Sequence, residues 1–266
     1  MDIRVAVGGL ALLLAAGGVV AQPVDALHAC ADMIREVGAP RYLGDDPPPH
    51  TLLCRSGYLL SHNDDTKIPD WEIEDLTPAR FVGPGDRDHS SFVGDPTLTQ
   101  AGKPHSVDDD YKGSGFDRGH MAPAADMKPD QAMMDESHYL SNIAPQVGLG
   151  FNRGIWARLE DAIRVWTEHR GHLIAMTGPI YDDTDRKMRG TDIPVPPRFY
   201  KIVYEPARHR AIAFIFPNRK ITDKDLGLFI ATIDDIEQAT GIDFLPGLSK
   251  SIQKRIERNV SSLWVQ

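Results

Sequence analysis

The run Asp117-Arg118-Gly119-His120 sets a proton acceptor beside a cation. Asn142-Ile143-Ala144-Pro145-Gln146 and the stretch from Phe151-Asn152-Arg153 to Glu160 add amide oxygens, further cations and a carboxylate. Hydrolysis of a charged phosphate ester needs these parts. Histidine, with an ordinary pKa of about 6.5, can take a proton from water near neutral pH. Gly119 allows close backbone approach, and Arg118 offers a fork of donors matched to phosphate oxygens. Asp117 is expected to fix either the loop or Arg118. Any one of the 10 histidines is by default structural, so the neighbours of His120 carry its assignment.

These groups must be held by regular elements. From Phe151 to His169, apolar residues at 155, 156, 159, 163 and 166 predict one helix, with Gly171 as its stop. On such a helix Asn152, Trp156 and Glu160 share a face, and about 12 Å of axis separates Asn152 from Glu160. That distance makes Asn152 the inner ligand of an ion through its amide oxygen and moves Glu160 to the outer shell. One neutral ligand suits Mg²⁺, with Mn²⁺ as the alternative, and leaves the charge of the ion largely unneutralised. Zinc is disfavoured because no Cys or His pair has ligand spacing. Asn152 also suits a helix N-cap, a role compatible with ligation. Arg164 reads either as an i, i+4 partner of Glu160 or as a phosphate contact, and Asn142 as turn chemistry or support for the site.

The rest of the chain predicts an α+β fold, a mainly antiparallel sheet with flanking helices. Residues 57–61 and 71–76 read as a hairpin turned by Asn63-Asp64-Asp65, and residues 78–115 as a long, polar, functional loop. Strands follow over 173–176, 199–204 and 211–216. A second helix is expected over 223–240, with Leu226, Phe229, Ile230, Ile233 and Ile236 on one side. Consecutive strands without a helix between each pair argue against a doubly wound sheet.

Residues 1–21 carry Arg4, an apolar core and a small-residue ending, the pattern of a cleaved export signal rather than a membrane anchor, and they predict a secreted or periplasmic protein with no membrane in the mature form. The two cysteines, Cys30 and Cys54, are expected to pair within an N-terminal extension, residues 22–56, ahead of a catalytic domain over 57–266. A net charge of −9 argues against a polyanionic ligand. The excess is local, however: residues 22–110 hold 7 Lys and Arg against 17 Asp and Glu, and residues 111–266 hold 21 against 20. A cluster of arginines can therefore meet a polyanion on a globally acidic chain, with modest, salt-sensitive affinity.

Taken together, Asp117-Arg118-Gly119-His120, Tyr139 to Gln146, Asn152 to Glu160, Thr177-Gly178-Pro179-Ile180-Tyr181, the region 193–204 and Ile233-Asp234-Asp235-Ile236-Glu237 resemble the DNA/RNA non-specific endonuclease family, the ββα-metal nucleases. The likeness runs from about Gly57 to Leu248. It implies a ββα-metal active-site motif with His120 as general base, Asn152 as the Mg²⁺ ligand, Glu160 in the water network of the ion, Arg118 and Arg164 at phosphates, and Asn142 supporting the site. A further family arginine near an aromatic has its nearest counterpart in Arg87, ahead of Phe92. Implied substrates are DNA and RNA, cut to 5′-phosphate ends. A homodimer and an inhibitor protein are compatible partners that the sequence does not reveal. Two rivals are a metal phosphodiesterase for a different ester and a non-catalytic nucleic-acid-binding protein.

Overall fold

The computed structural model describes residues 25–182 and 186–264; the expected export signal, residues 1–21, lies outside them. The strands in chain order are β1 (Arg41–Tyr42), β2 (His50–Cys54), β3 (Leu59–Asn63), β4 (Pro69–Leu76), β5 (Asp117–His120), β6 (Ile143–Gln146), β7 (Leu173–Ile180), β8 (Arg198–Glu205), β9 (Arg210–Pro217), β10 (Ile230–Ala231) and β11 (Ile242–Asp243). The helices are α1 (Ala26–Ala29), α2 (Pro96–Gln100), α3 (Asp108–Tyr111), α4 (Gln131–Ser137), α5 (Ala157–Arg170), α6 (Ile233–Thr240) and α7 (Lys250–Glu257). Seven strands form one antiparallel sheet in the order β10-β9-β8-β7-β4-β3-β2. The architecture is the expected α+β one.

Alternation along the strands sorts the core into two layers. Trp71 and Ile73 of β4 and Tyr200, Ile202 and Tyr204 of β8 join α6, α7 and the N-terminal residues on one face. Phe199 and Val203 face α5, whose Leu159, Ile163 and Trp166 complete the other layer. The predicted hairpin is β3–β4; the Asn63 amide oxygen accepts from the backbone of Asp65 and Thr66, the local bond that makes Asn a turn residue. Residues 78–115 are ordered around short helical turns and α2 and α3. Cys30 and Cys54 form the expected disulfide, with Cα atoms 5.7 Å apart, and tie the residues after α1 to the edge strand β2.

Two helix boundaries differ from expectation. The first helix begins at Ala157, because residues 148–156 are irregular: Gly150 takes φ +85°, open to glycine alone at little cost, and Arg153 and Gly154 leave helical angles. Apolar periodicity runs on through this break because Phe151, Ile155 and Trp156 are still buried. The second helix begins at Ile233, where Thr232 and Asp235 form a reciprocal cap. Upstream, Phe229 stacks on Phe216 at 4.5 Å and Ile230–Ala231 pairs with β9, so the apolar spacing there serves the sheet edge.

The disulfide closes a 24-residue separation and should contribute about 3 kcal/mol by restricting the unfolded chain. Replacing both cysteines by serine should lower stability by that amount in urea unfolding. Identical midpoints for the two proteins would contradict it.

Candidate active site

β5 and β6 pair antiparallel apart from the large sheet, with Asp117 opposite Gln146 and His120 opposite Ile143. Followed by α5, they make the ββα unit. On β5, Arg118 and His120 share one face and Asp117 and Gly119 the other. Gly119 is required by contact: a Cβ there would lie 2.2 Å from the Gln146 side chain. His120, Arg118, Asp117, Asn152, Arg153, Glu160 and Arg87 all line one cleft of 470 Å³, with Phe92 and Phe116 as its aromatic wall.

His120 is 9% exposed, and its Nε2 has no hydrogen-bond partner. Its ring packs against Phe92 at 5.4 Å and edge-on to His138 at 5.1 Å. Burial, reinforced by His138 and Arg87, holds its pKa well below the ordinary histidine value, so the imidazole is neutral at pH 7. The ring lines the cleft, and a neutral imidazole there is suited to accept a proton.

Behind it stands Asn142, fully buried. Its amide oxygen accepts from Ala122 N, and its amide nitrogen donates to the carbonyls of Ala122 and Ser137, each at 2.9 Å. Those bonds lock the chain just after His120 and leave no amide group for a substrate. Asn142 is therefore a positioning residue rather than a group that touches reacting atoms.

Asn152 is neither on α5 nor its N-cap; that helix starts from Trp156 with no side-chain cap. Shared helical rise therefore does not govern Asn152 and Glu160. Instead Asn152 Nδ2 donates to Asp117 Oδ2 at 2.9 Å, which turns its amide oxygen away as the group open to a cation. Asp117 also takes Arg153, through Nε at 2.8 Å, and not Arg118. Glu160, in the first turn of α5, is pushed up to about 7 by burial, against the opposing charges of Lys201 and Arg164. An amide oxygen and a carboxylate in one cleft form a hard oxygen set, which fits a divalent ion of the Mg²⁺ type.

The arginines divide. Arg118 pairs with Asp108 at 2.5 Å and lies over Phe92 and Tyr111. Arg87 is exposed at the rim and has no carboxylate partner at hydrogen-bonding distance among the described residues. Arg164 does not line the cleft: it pairs with buried Asp126 at 2.7 Å and with Asp161, not with Glu160. Sequence reasoning left Asp108, Asp126, Arg153 and Lys201 without roles. Arg153 lay inside a motif segment, whereas the others are tied to their partners only by the fold.

The family model for DNA/RNA non-specific endonucleases matches residues 43–251. Nuclease C1 of Cunninghamella echinulata is 39% identical over 78% of this chain and 88% of that protein. The mitochondrial nuclease of Saccharomyces cerevisiae is 36% identical over 80% of this chain and 71% of its own length. A solved structure of an EndoG/EndoGI complex, described as showing EndoG inhibition, superposes with a TM-score of 0.71 at 28% identity, covering 86% of this chain and 95% of that one. The expected secreted or periplasmic location is corrected by the relatives: those of Saccharomyces cerevisiae, Schizosaccharomyces pombe, human and mouse are named mitochondrial nucleases. Residues 1–21, charged only at Asp2 and Arg4, do not by their composition choose the compartment.

Asn142→Ala should strand buried backbone groups beside His120 and cost about 2–4 kcal/mol in urea unfolding. A loss below about 0.5 kcal/mol would show that those three bonds do not hold this segment.

Proposed function

The chain belongs to the DNA/RNA non-specific endonuclease family, and we propose that it hydrolyses phosphodiester bonds of both DNA and RNA with His120 as general base. The observation that carries this is the neutral imidazole of His120 lining one cleft with Asn152, Glu160, Arg118 and Arg87. The family implies a divalent metal ion. In this reading it is Mg²⁺, with Mn²⁺ able to replace it, and Asn152 would hold it through Oδ1. When bound, it supplies positive charge to the transition state.

The chain's own groups supply the rest. The His120 imidazole takes a proton from water as the water oxygen bonds to phosphorus; the bond to the 3′ oxygen breaks, leaving a 5′-phosphate end. The leaving oxygen is protonated by solvent. Arg118 and Arg87 face the non-bridging oxygens of the phosphate, and Glu160 would hold water beside the ion. Arg164 acts at one remove, by fixing Asp126 and the face of α5 under Glu160. All of these groups fall in residues 57–266, the proposed nuclease domain, while the described part of the extension, residues 25–56, braces its sheet edge through β2 and the disulfide. The relatives support a mitochondrial location for this activity. By analogy with the EndoG/EndoGI complex, an inhibitor protein is a compatible partner. A homodimer is compatible with this reading, and sedimentation would decide it.

Purified protein should degrade plasmid DNA and RNA to short oligomers and stop on addition of EDTA; intact polymers with a small diester still cleaved would favour the rival phosphodiesterase. His120→Ala should lower the rate by about 10²–10⁴-fold with folding intact. Because the folded-state pKa of His120 is depressed, the base is fully present above pH 6.5 and is lost as pH falls through that lower value. The part of the acid limb of kcat/KM that His120 sets should therefore lie below pH 6.5, while Glu160, pushed up to about 7, can add a limb of its own that Glu160→Gln removes. A limb above 7 that persists in Glu160→Gln would count against His120 as the base.

A further inference from the structure

At the far ends of β8 and α5 from the cleft lies a second cavity, 590 Å³, lined by Arg208, His209, Arg210, Arg255, Asn259 and Trp264 among others. The cleft sits by the start of β8, where Phe199 packs on Phe151 and Trp156. Eight strand residues at about 3.3 Å each separate the two ends by on the order of 20–25 Å. The second cavity is thus a place of its own.

Its charge is one-sided. Glu205 is fully buried and spends one oxygen on Arg170, at 2.8 Å, and the other on Arg208. Arg210 and Arg255 are exposed and have no carboxylate partner at hydrogen-bonding distance among the described residues. Four arginines against one carboxylate leave three positive charges. Counting exposed Glu36, whose charge reaches the Tyr204 hydroxyl as that of Arg255 does, still leaves two. On a chain of net charge −9 this concentration is against the general balance.

The backbone that presents it is also unusual. His209 takes the left-handed conformation, φ 45° and ψ 55°, at the turn between β8 and β9, a position that glycine would fill without strain. The Tyr204 hydroxyl and His209 Nδ1, 2.6 Å apart, hold the ring stacked in place. Arg208 and Arg210 flank His209 in the chain, and both are exposed. Uncompensated like charge at an exposed turn is a place where an anion can be held. Guanidinium groups with amide and hydroxyl donors beside them suit phosphate.

We propose that the Arg208-His209-Arg210 turn and Arg255 form a second anion site that grips the phosphate backbone of a polynucleotide outside the catalytic cleft. This rests on the nuclease reading for the identity of the ligand. About 20 Å corresponds to roughly six base pairs of duplex, so a substrate a dozen pairs long has phosphates to spare for both sites.

The test uses the full chain carrying His120→Ala and a labelled 30-base-pair duplex, with binding read by fluorescence anisotropy across NaCl concentrations. Adding Arg210→Glu and Arg255→Glu should weaken binding at least tenfold at low salt and reduce the slope of log affinity against log salt by nearly two, one phosphate contact per arginine. Unchanged affinity and slope would overturn the proposal. So would an effect on phosphatidylserine vesicles alone, which would make the site a lipid contact. Should the reversals not fold, Arg210→Gln and Arg255→Gln remove the same contacts. In the otherwise unaltered enzyme the substitutions should leave cleavage of bis-p-nitrophenyl phosphate unchanged; a loss there equal to the loss on duplex would place their effect in the cleft. If the unaltered protein cut no nucleic acid, the nuclease reading would fail while the anisotropy result still stood by itself.

Discussion

The carboxylate of Asp117 is the tie on which the cleft depends. His120 is fixed by strand pairing and by the bonds of Asn142 behind it, but Asn152 lies in a stretch whose backbone is not helical and so cannot position a side chain by its own periodicity. Asp117, on the same short strand as His120, accepts from Asn152 and from Arg153 and carries the register of β5 across to that stretch. The base and the candidate ligand are thus held to one strand by side-chain bonds. Gly148 is part of the same fitting, since a Cβ there would meet both Arg153 and Asp117.

Beneath α5 a second constraint operates. Glu72, Thr177 and Lys201 form a row across β4, β7 and β8, on the face that Glu74 shares. Asp126 with Arg164, Arg80 near Glu74, and Glu160 complete a buried polar layer. Lys201 donates to Thr177 at 2.7 Å, and its ammonium lies 5.3 Å from the Trp156 ring, one turn before Glu160. Burying this many charged groups is costly, so the layer must be near electrical balance. Four carboxylates face three cations. Burial raises the affinity of Glu72 and Glu74 for protons, and one retained proton brings the count even. The partial protonation of Glu160 is set by this layer as well as by the cleft.

How much of this was legible follows the range of the interactions. His120, Arg118, Asn152 and Glu160 stood out because their motifs are local runs, and the cleft does gather them. The helix joining Asn152 to Glu160 was misread because buried apolar residues continue through the break at Gly150 and Gly154; periodicity reports burial, not helicity. The same confusion extended α6 backwards over residues whose apolar side chains pack on β9. Arg164 could not be assigned from spacing, since its partner Asp126 lies 38 positions away and lends no signal to the helix. The placement of β4 between β3 and β7, which builds the polar layer, is likewise a product of topology.

The pairing of the arginines bears on how an acidic chain handles a polyanion. Arg118 rests on Asp108 and Arg153 on Asp117, so in the resting protein these cations are already satisfied. A phosphate arriving at Arg118 exchanges with a carboxylate instead of filling an empty site, and only the difference between the two contacts appears as affinity. In the proposed reaction this exchange suits repeated cleavage, because a product held by small differences is released. It also separates the work of holding substrate from the work of cutting it. Where arginines stand unopposed away from the cleft, at Arg210 and Arg255, the proposed second site would add electrostatic attraction for a long polymer without tightening the hold on the scissile phosphate.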